Sequence, residues 1–135
     1  MNAAARHWHY ALGPDSARTS RPGMSCTRNV LESLHGHGSA DGSDGRRDDV
    51  LLVMSELLAN ACQHASGPTC IDISLDDSRL TVAVTDQNPA QPLPQPCQPG
   101  EPHGYGLHIV DRLATDWGVT PVLDGKTVWA TLPAP

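Results

Sequence analysis

Leu51-Leu52-Val53-Met54-Ser55-Glu56-Leu57-Leu58-Ala59-Asn60-Ala61-Cys62-Gln63-His64-Ala65, followed by Gly67-Pro68, is the stretch around which the rest of the chain is organised. Val50, Met54, Leu57, Leu58, Ala61 and Ala65 recur at three-to-four spacing, which predicts a helix with one stripe against a core. Gly67-Pro68 predicts its stop. Glu56 and Asn60 stand one turn apart, so a carboxylate and a carboxamide share one face, with His64 a turn further on. An asparagine oxygen beside a carboxylate can hold a divalent cation and activate a hydroxyl or water. For a helix standing alone, two solvated polar residues flanking a buried stripe account for the same pattern.

Downstream, Ile71, Ile73 and Leu75 alternate, as do Leu80, Val82 and Val84, with Asp76-Asp77-Ser78 between them; this predicts an antiparallel hairpin whose second strand runs into Asp86. Prolines at 89, 92, 94, 96, 99 and 102 then forbid regular helix and central strand. Extended loops of this kind inside a small domain tend to be lids or binding loops. His103-Gly104-Tyr105-Gly106-Leu107 opens into a helical stripe of Leu107, Val110, Leu113 and Ala114. A Gly-x-Gly turn before a helix offers backbone N–H groups to a phosphate, although it also serves as a plain turn. Neither a Rossmann fingerprint nor a P-loop is present. Trp117-Gly118-Val119, Asp124-Gly125 and Thr127 to Leu132 predict a closing hairpin, with Val128, Ala130 and Leu132 facing one way.

Upstream, Arg6 to Leu12 alternates as a short strand with Trp8, Tyr10 and Leu12 on one side. Those aromatics suit either the core or a dimer contact. Pro22-Gly23 precedes a helical stripe of Cys26, Val30, Leu31 and Leu34. Gly36 to Gly45 reads as a flexible surface loop, with the central helix starting near Arg46.

The chain has 135 residues, enough for one domain with one core, and we divide it into an N-terminal segment over residues 1–16 with a first strand and a single domain over 17–135. Its formal charge of −6 and nine Lys and Arg argue against direct nucleic-acid binding. No run of about eighteen apolar residues is available to cross a bilayer, and no apolar secretion signal opens the chain, so we expect no membrane contact and a cytoplasmic location. Cysteines at 26, 62, 70 and 97 form no CxxC pair, which fits free thiols in a reducing compartment. Cys62, His64 and Cys70 match no zinc spacing.

Taken together, Ser55-Glu56-Leu57-Leu58-Ala59-Asn60-Ala61 with His64-Ala65, Gly104-Tyr105-Gly106-Leu107, Trp117-Gly118 and Gly125-Lys126-Thr127-Val128-Trp129 resemble the GHKL (Bergerat-fold) ATP-binding domain. Among its members the chain is similar to small anti-sigma-factor serine/threonine kinase-like proteins, over roughly residues 17 to 133. The resemblance implies an α/β fold, more narrowly an α+β two-layer sandwich: a mixed, mostly antiparallel sheet with helices on one face and a proline-rich ATP lid. It implies ATP and Mg²⁺ as cofactors, with Asn60 as the Mg²⁺ ligand and Glu56 as general base. It assigns Asp86 to the adenine amino group, Gly104, Gly106 and Leu107 to the glycine box along the phosphates, and Thr127 to a polar position near the adenine. His64 matches a family position too, but a histidine at a helix C-terminus has a simpler electrostatic account.

Three departures stand out. The first glycine box reads Asp86-Gln87-Asn88-Pro89, where asparagine is the residue that best tolerates a left-handed turn in place of glycine. Tyr105 occupies a position where several relatives carry arginine. No Lys or Arg lies between Asp86 and Arg112, although cationic stabilisation by an arginine contributes roughly 10³-fold or more to phosphoryl transfer. The expected function is therefore a cytoplasmic regulator of transcription that binds ATP and a sigma factor, an antagonist of the anti-sigma factor, or both, and that phosphorylates a Ser or Thr of the antagonist where kinase-competent. The alternative is a partner-binding module that kept the fold and lost transfer or nucleotide binding. Relatives suggest a homodimer.

Overall fold

The computed structural model describes residues 5–13, 19–34, 43–64, 67–88 and 105–135. In chain order the described elements are β1 (Arg6–Ala11), α1 (Arg21–Leu34), α2 (Ser43–His64), β2 (Pro68–Asp76), β3 (Arg79–Asp86), α3 (Tyr105–Leu113), β4 (Asp116–Val122) and β5 (Gly125–Pro133). The strands form one sheet in the order β1-β2-β3-β5-β4. Every neighbouring pair is antiparallel, so the sheet expected to be mixed and mostly antiparallel is antiparallel throughout its described strands. The proline-rich stretch from Pro89 to His103, Gly104 and Ala65 lie outside the described residues.

Alternation decides which face each strand buries. Leu80, Val82 and Val84 of β3 and Val128, Ala130 and Leu132 of β5 join Val30 and Leu31 of α1 and Val50, Val53, Met54, Leu57, Leu58 and Ala61 of α2 in one core cluster. Only one parity of each central strand enters that cluster, so the helices cover one face of the sheet. The other face of β3 and β5 carries the Ala83↔Trp129 pair flanked by two threonine pairs. There Thr81 and Thr131 share a 2.8 Å hydroxyl bond, and Thr85 and Thr127 one of 2.7 Å. Such cross-strand threonine pairs hold the register where no core is available to do so.

Trp8, Tyr10 and Leu12 pack against the core, which decides between the two uses their pattern allowed. β1 pairs with β2 from Arg6↔Leu75 to Ala11↔Cys70, so the N-terminal strand is the edge of the same sheet. At α1, the Ser20 carbonyl accepts the Met24 N–H at 2.9 Å and Pro22 sits in the first turn, where its missing donor costs nothing. α2 begins at Ser43, ahead of the start expected near Arg46, so Gly45 belongs to its first turn and not to a surface loop. One glycine costs a helix of 22 residues little. The stop is as the sequence implies: Gly67 adopts φ 103° and its N–H returns to the Ala61 carbonyl at 3.2 Å. Asp77 and Asp124, at φ 50° and 62°, turn the two hairpins.

Candidate functional site

α2 carries the first half of the site. Its apolar stripe is sealed against β3 and β5, and this fixes the rotation of the helix. Asn60 is consequently buried, at 8% exposure, and its Nδ2 has no hydrogen-bond partner among the described residues. A buried amide left unsatisfied costs about 1–3 kcal/mol, so an orphan here is evidence of a group built to meet a ligand. Because amide oxygen and nitrogen are interchangeable at this level of description, the orphan fits an acceptor for a cation as well as a donor. One turn earlier, Glu56 is half-buried and its carboxyl is pushed above the usual carboxylate range by loss of solvent. A carboxylate so raised is a better proton acceptor than an exposed one.

The second half lies at the end of β3. Two residues beyond Val84 on the same parity, Asp86 faces the helix layer and is only 2% exposed. Its partner across the sheet is Lys126, in the Asp86↔Lys126 register, and Lys126 is 1% exposed. Lys126 Nζ donates to Asp86 Oδ1 at 3.0 Å and to the Asn88 carbonyl at 2.9 Å. Asp86 Oδ1 also accepts the Asn88 N–H at 2.8 Å. The altered glycine box is therefore closed by an Asx turn, without the left-handed asparagine that its sequence suggested: the positive-φ residues other than glycine are Asp77 and Asp124 among those described. Both of these bonds to the Asp86 carboxylate fall on Oδ1.

Lys126 is the residue that the sequence reading missed. The signal was present: stepping back by two from Val128, Ala130 and Leu132 places Lys126 on the buried face, and stepping forward by two from Val84 places Asp86 there. Lys126 is a buried cation carried by the last strand, and its charge is spent on Asp86. Gly125 makes the approach feasible, because a Cβ there would overlap the Asp86 carbonyl oxygen and crowd Gln87 Cα. The same alternation corrects the expectation for Thr127. It points to the opposite face, bonded to Thr85, and does not join Asp86.

Leu107 is 6% exposed on α3, the helix that packs beside α2. Gly106 falls in the first turn of α3, and Gly104 lies outside the described residues. The structure thus buries Asn60, Asp86 and Lys126, leaves Glu56 half-buried one turn from Asn60, and turns Thr127 to the other face of the sheet.

The fold combines a half-buried Glu and a buried Asn on one helix with a buried carboxylate at the end of a strand in an antiparallel sheet. The sequence profile of the histidine kinase-like ATPase domain matches residues 24–132, and the chain belongs to that family. Among solved structures it is similar to the RsbU and RsbW domains of Rv1364c from Mycobacterium tuberculosis, with a TM-score of 0.63 and 20% identity; the match covers 96% of this chain and 33% of that one. This chain thus spans about a third of that structure. Comparison with curated protein sequences gives no match.

Proposed function

We propose that this chain is an ATP-binding regulator of the anti-sigma-factor type, acting in the cytoplasm on a sigma factor, an antagonist of the anti-sigma factor, or both. The observation that carries this reading is the buried Asn60 with its unsatisfied amide, one turn from a Glu56 whose carboxyl is raised, in a chain of the histidine kinase-like ATPase family. Asn60 would hold Mg²⁺ on the nucleotide phosphates, and Asp86 Oδ2 would accept the adenine amino N–H. Bound Mg²⁺ supplies the charge neutralisation that phosphoryl transfer requires. Glu56 would take the proton of a Ser or Thr hydroxyl on the antagonist. Phosphate added there would change that surface's charge and with it the choice of partner. The domain would work as a homodimer, which sedimentation equilibrium reads directly. With Trp8 and Tyr10 packed inward, the contact would involve other residues.

One observation favours a second reading. Lys126 occupies Asp86 Oδ1 from inside the fold, so the base site is already partly filled, as in a partner-binding module that has given up nucleotide. Titration calorimetry with ATP and Mg²⁺ separates the two. On the first reading the wild type binds and Asn60→Ala binds at least about tenfold more weakly, a loss of 1.4 kcal/mol or more. On the second the wild type does not bind, and Lys126→Met recovers affinity. Glu56→Gln should retain ATP binding and lose transfer to an antagonist.

A further inference from the structure

We propose a transition-metal site of the zinc type on the sheet face remote from the helices, built by His7 and His9 of β1 with Cys70 and Asp72 of β2. It is independent of the nucleotide reading, because it stands on the opposite side of the sheet from Asn60 and Asp86.

The register makes the site. β1 and β2 are antiparallel with His9 opposite Asp72 and Ala11 opposite Cys70. His7 and His9 are two apart on one strand, Cys70 and Asp72 two apart on the other, so all four side chains emerge on one face. That face is the one not taken by Trp8, Tyr10, Ile71 and Ile73, which turn to the core. His9 Nδ1 lies 2.8 Å from Asp72 Oδ1 and His7 Nε2 lies 2.9 Å from the same oxygen. Cys70 Sγ is 4.0 Å from Asp72 Oδ2. The ligand atoms of His9, Cys70 and Asp72 all fall within 4.8 Å of one another.

The two imidazole–carboxylate contacts have ordinary hydrogen-bond lengths, so a metal would enter by parting them and drawing the thiol in. A tetrahedral ion with bonds of about 2.0–2.3 Å separates its ligand atoms by roughly 3.3–3.8 Å, inside the span found here. Small side-chain rotations of exposed imidazoles reach it. Two ring nitrogens converge on one carboxylate oxygen, and a thiol stands beside them too far for a strong bond to that carboxylate; one cation among the four would engage every group. Two imidazoles, a thiolate and a carboxylate select Zn²⁺ or a neighbouring transition ion over Mg²⁺ or Ca²⁺. His9, Cys70 and Asp72 form the close group; His7 lies outside it on the same Asp72 oxygen and would turn inward as the fourth ligand of a closed, structural sphere. Binding would replace the acidic protons with the metal and clamp the edge strand to β2.

The test uses the untagged 135-residue chain, stripped with chelator and titrated with Co²⁺ followed by Zn²⁺. The expected result is one tetrahedral Co²⁺ per chain, seen as intense visible d–d bands with a near-ultraviolet thiolate charge-transfer band, displaced by Zn²⁺ with a rise in melting temperature. Cys70→Ser should abolish the charge-transfer band while leaving the far-ultraviolet circular dichroism unchanged. His7→Ala, His9→Ala and Asp72→Asn, each on an exposed or half-exposed side chain, should each lower Zn²⁺ affinity by more than about a hundredfold, beyond the loss typical for a group that merely orients a ligand. Weak octahedral Co²⁺ bands, a charge-transfer band that survives Cys70→Ser, or unchanged Zn²⁺ affinity in the folded His9→Ala variant would each overturn the proposal.

Discussion

Lys126 concentrates more of this protein's physical chemistry than any other single residue. Its ammonium and the Asp86 carboxylate are both sealed from water, a costly placement that their 3.0 Å contact and the bonds through Asn88 offset. Removing one partner leaves the other charge buried and alone. Lys126→Met should therefore destabilise the fold by about 3–5 kcal/mol in urea denaturation, and Lys126→Met with Asp86→Leu should recover most of that loss. Gly125→Ala belongs to the same cluster. A methyl driven against the Asp86 carbonyl should cost about 1–3 kcal/mol, although φ at Gly125 is one that other residues adopt. Glu56 offers a pH test. Burial raises its folded pKa, so the neutral form fits the fold better than the charged one. Stability from this group is fully present below the ordinary glutamate value of about 4.3 and is lost as pH rises through the raised folded value. Glu56→Gln should thus be more stable than wild type at pH 7 by chemical denaturation, with the difference vanishing in acid.

Among the elements, α2 positions the site and α1 positions α2. The two helices meet where Gly23 lies against Leu58: a Cβ at Gly23 would come within 2.8 Å of both Leu58 methyls, and Leu58 is fully buried. Leu58→Ala should cost about 2–5 kcal/mol through the cavity it leaves. Gly23→Ala introduces a methyl that this cavity can accept, so the double variant should lose less than the sum of the two single losses, by at least about 0.5 kcal/mol. Thermal or urea unfolding of the four proteins in the cycle reads that coupling. The stripe that makes α2 a helix was legible from Val50 to Ala61, because a 3.6-residue period repeated over several turns has no other solution. Its start was not. The Gly-, Ser- and Asp-rich stretch from Gly36 to Gly45 read as a loop to its end, and local sequence could not weigh its last residues against the helix that follows.

For the whole molecule, the sheet order puts β3 at the centre and β1 and β4 at the edges. With α2 lying on β3, amide exchange in β3 and along the inner face of α2 should be slowest, approaching global unfolding, and that in β1 and β4 fastest. Exchange measured strand by strand by NMR would contradict this arrangement if β1 proved as protected as β3. Periodicity and turn residues were enough to determine the two-layer class, the helical stripes and both hairpins. Each of those rests on neighbours a few positions apart, and such interactions are written into the order of the residues. Lys126 beside Asp86, Thr127 turned away from it, and His7 and His9 gathered over Asp72 depended on which strands lie side by side and in what register. Pairings separated by 40 and 63 positions are decided by how the whole sheet buries its apolar face, so only the tertiary structure could place them.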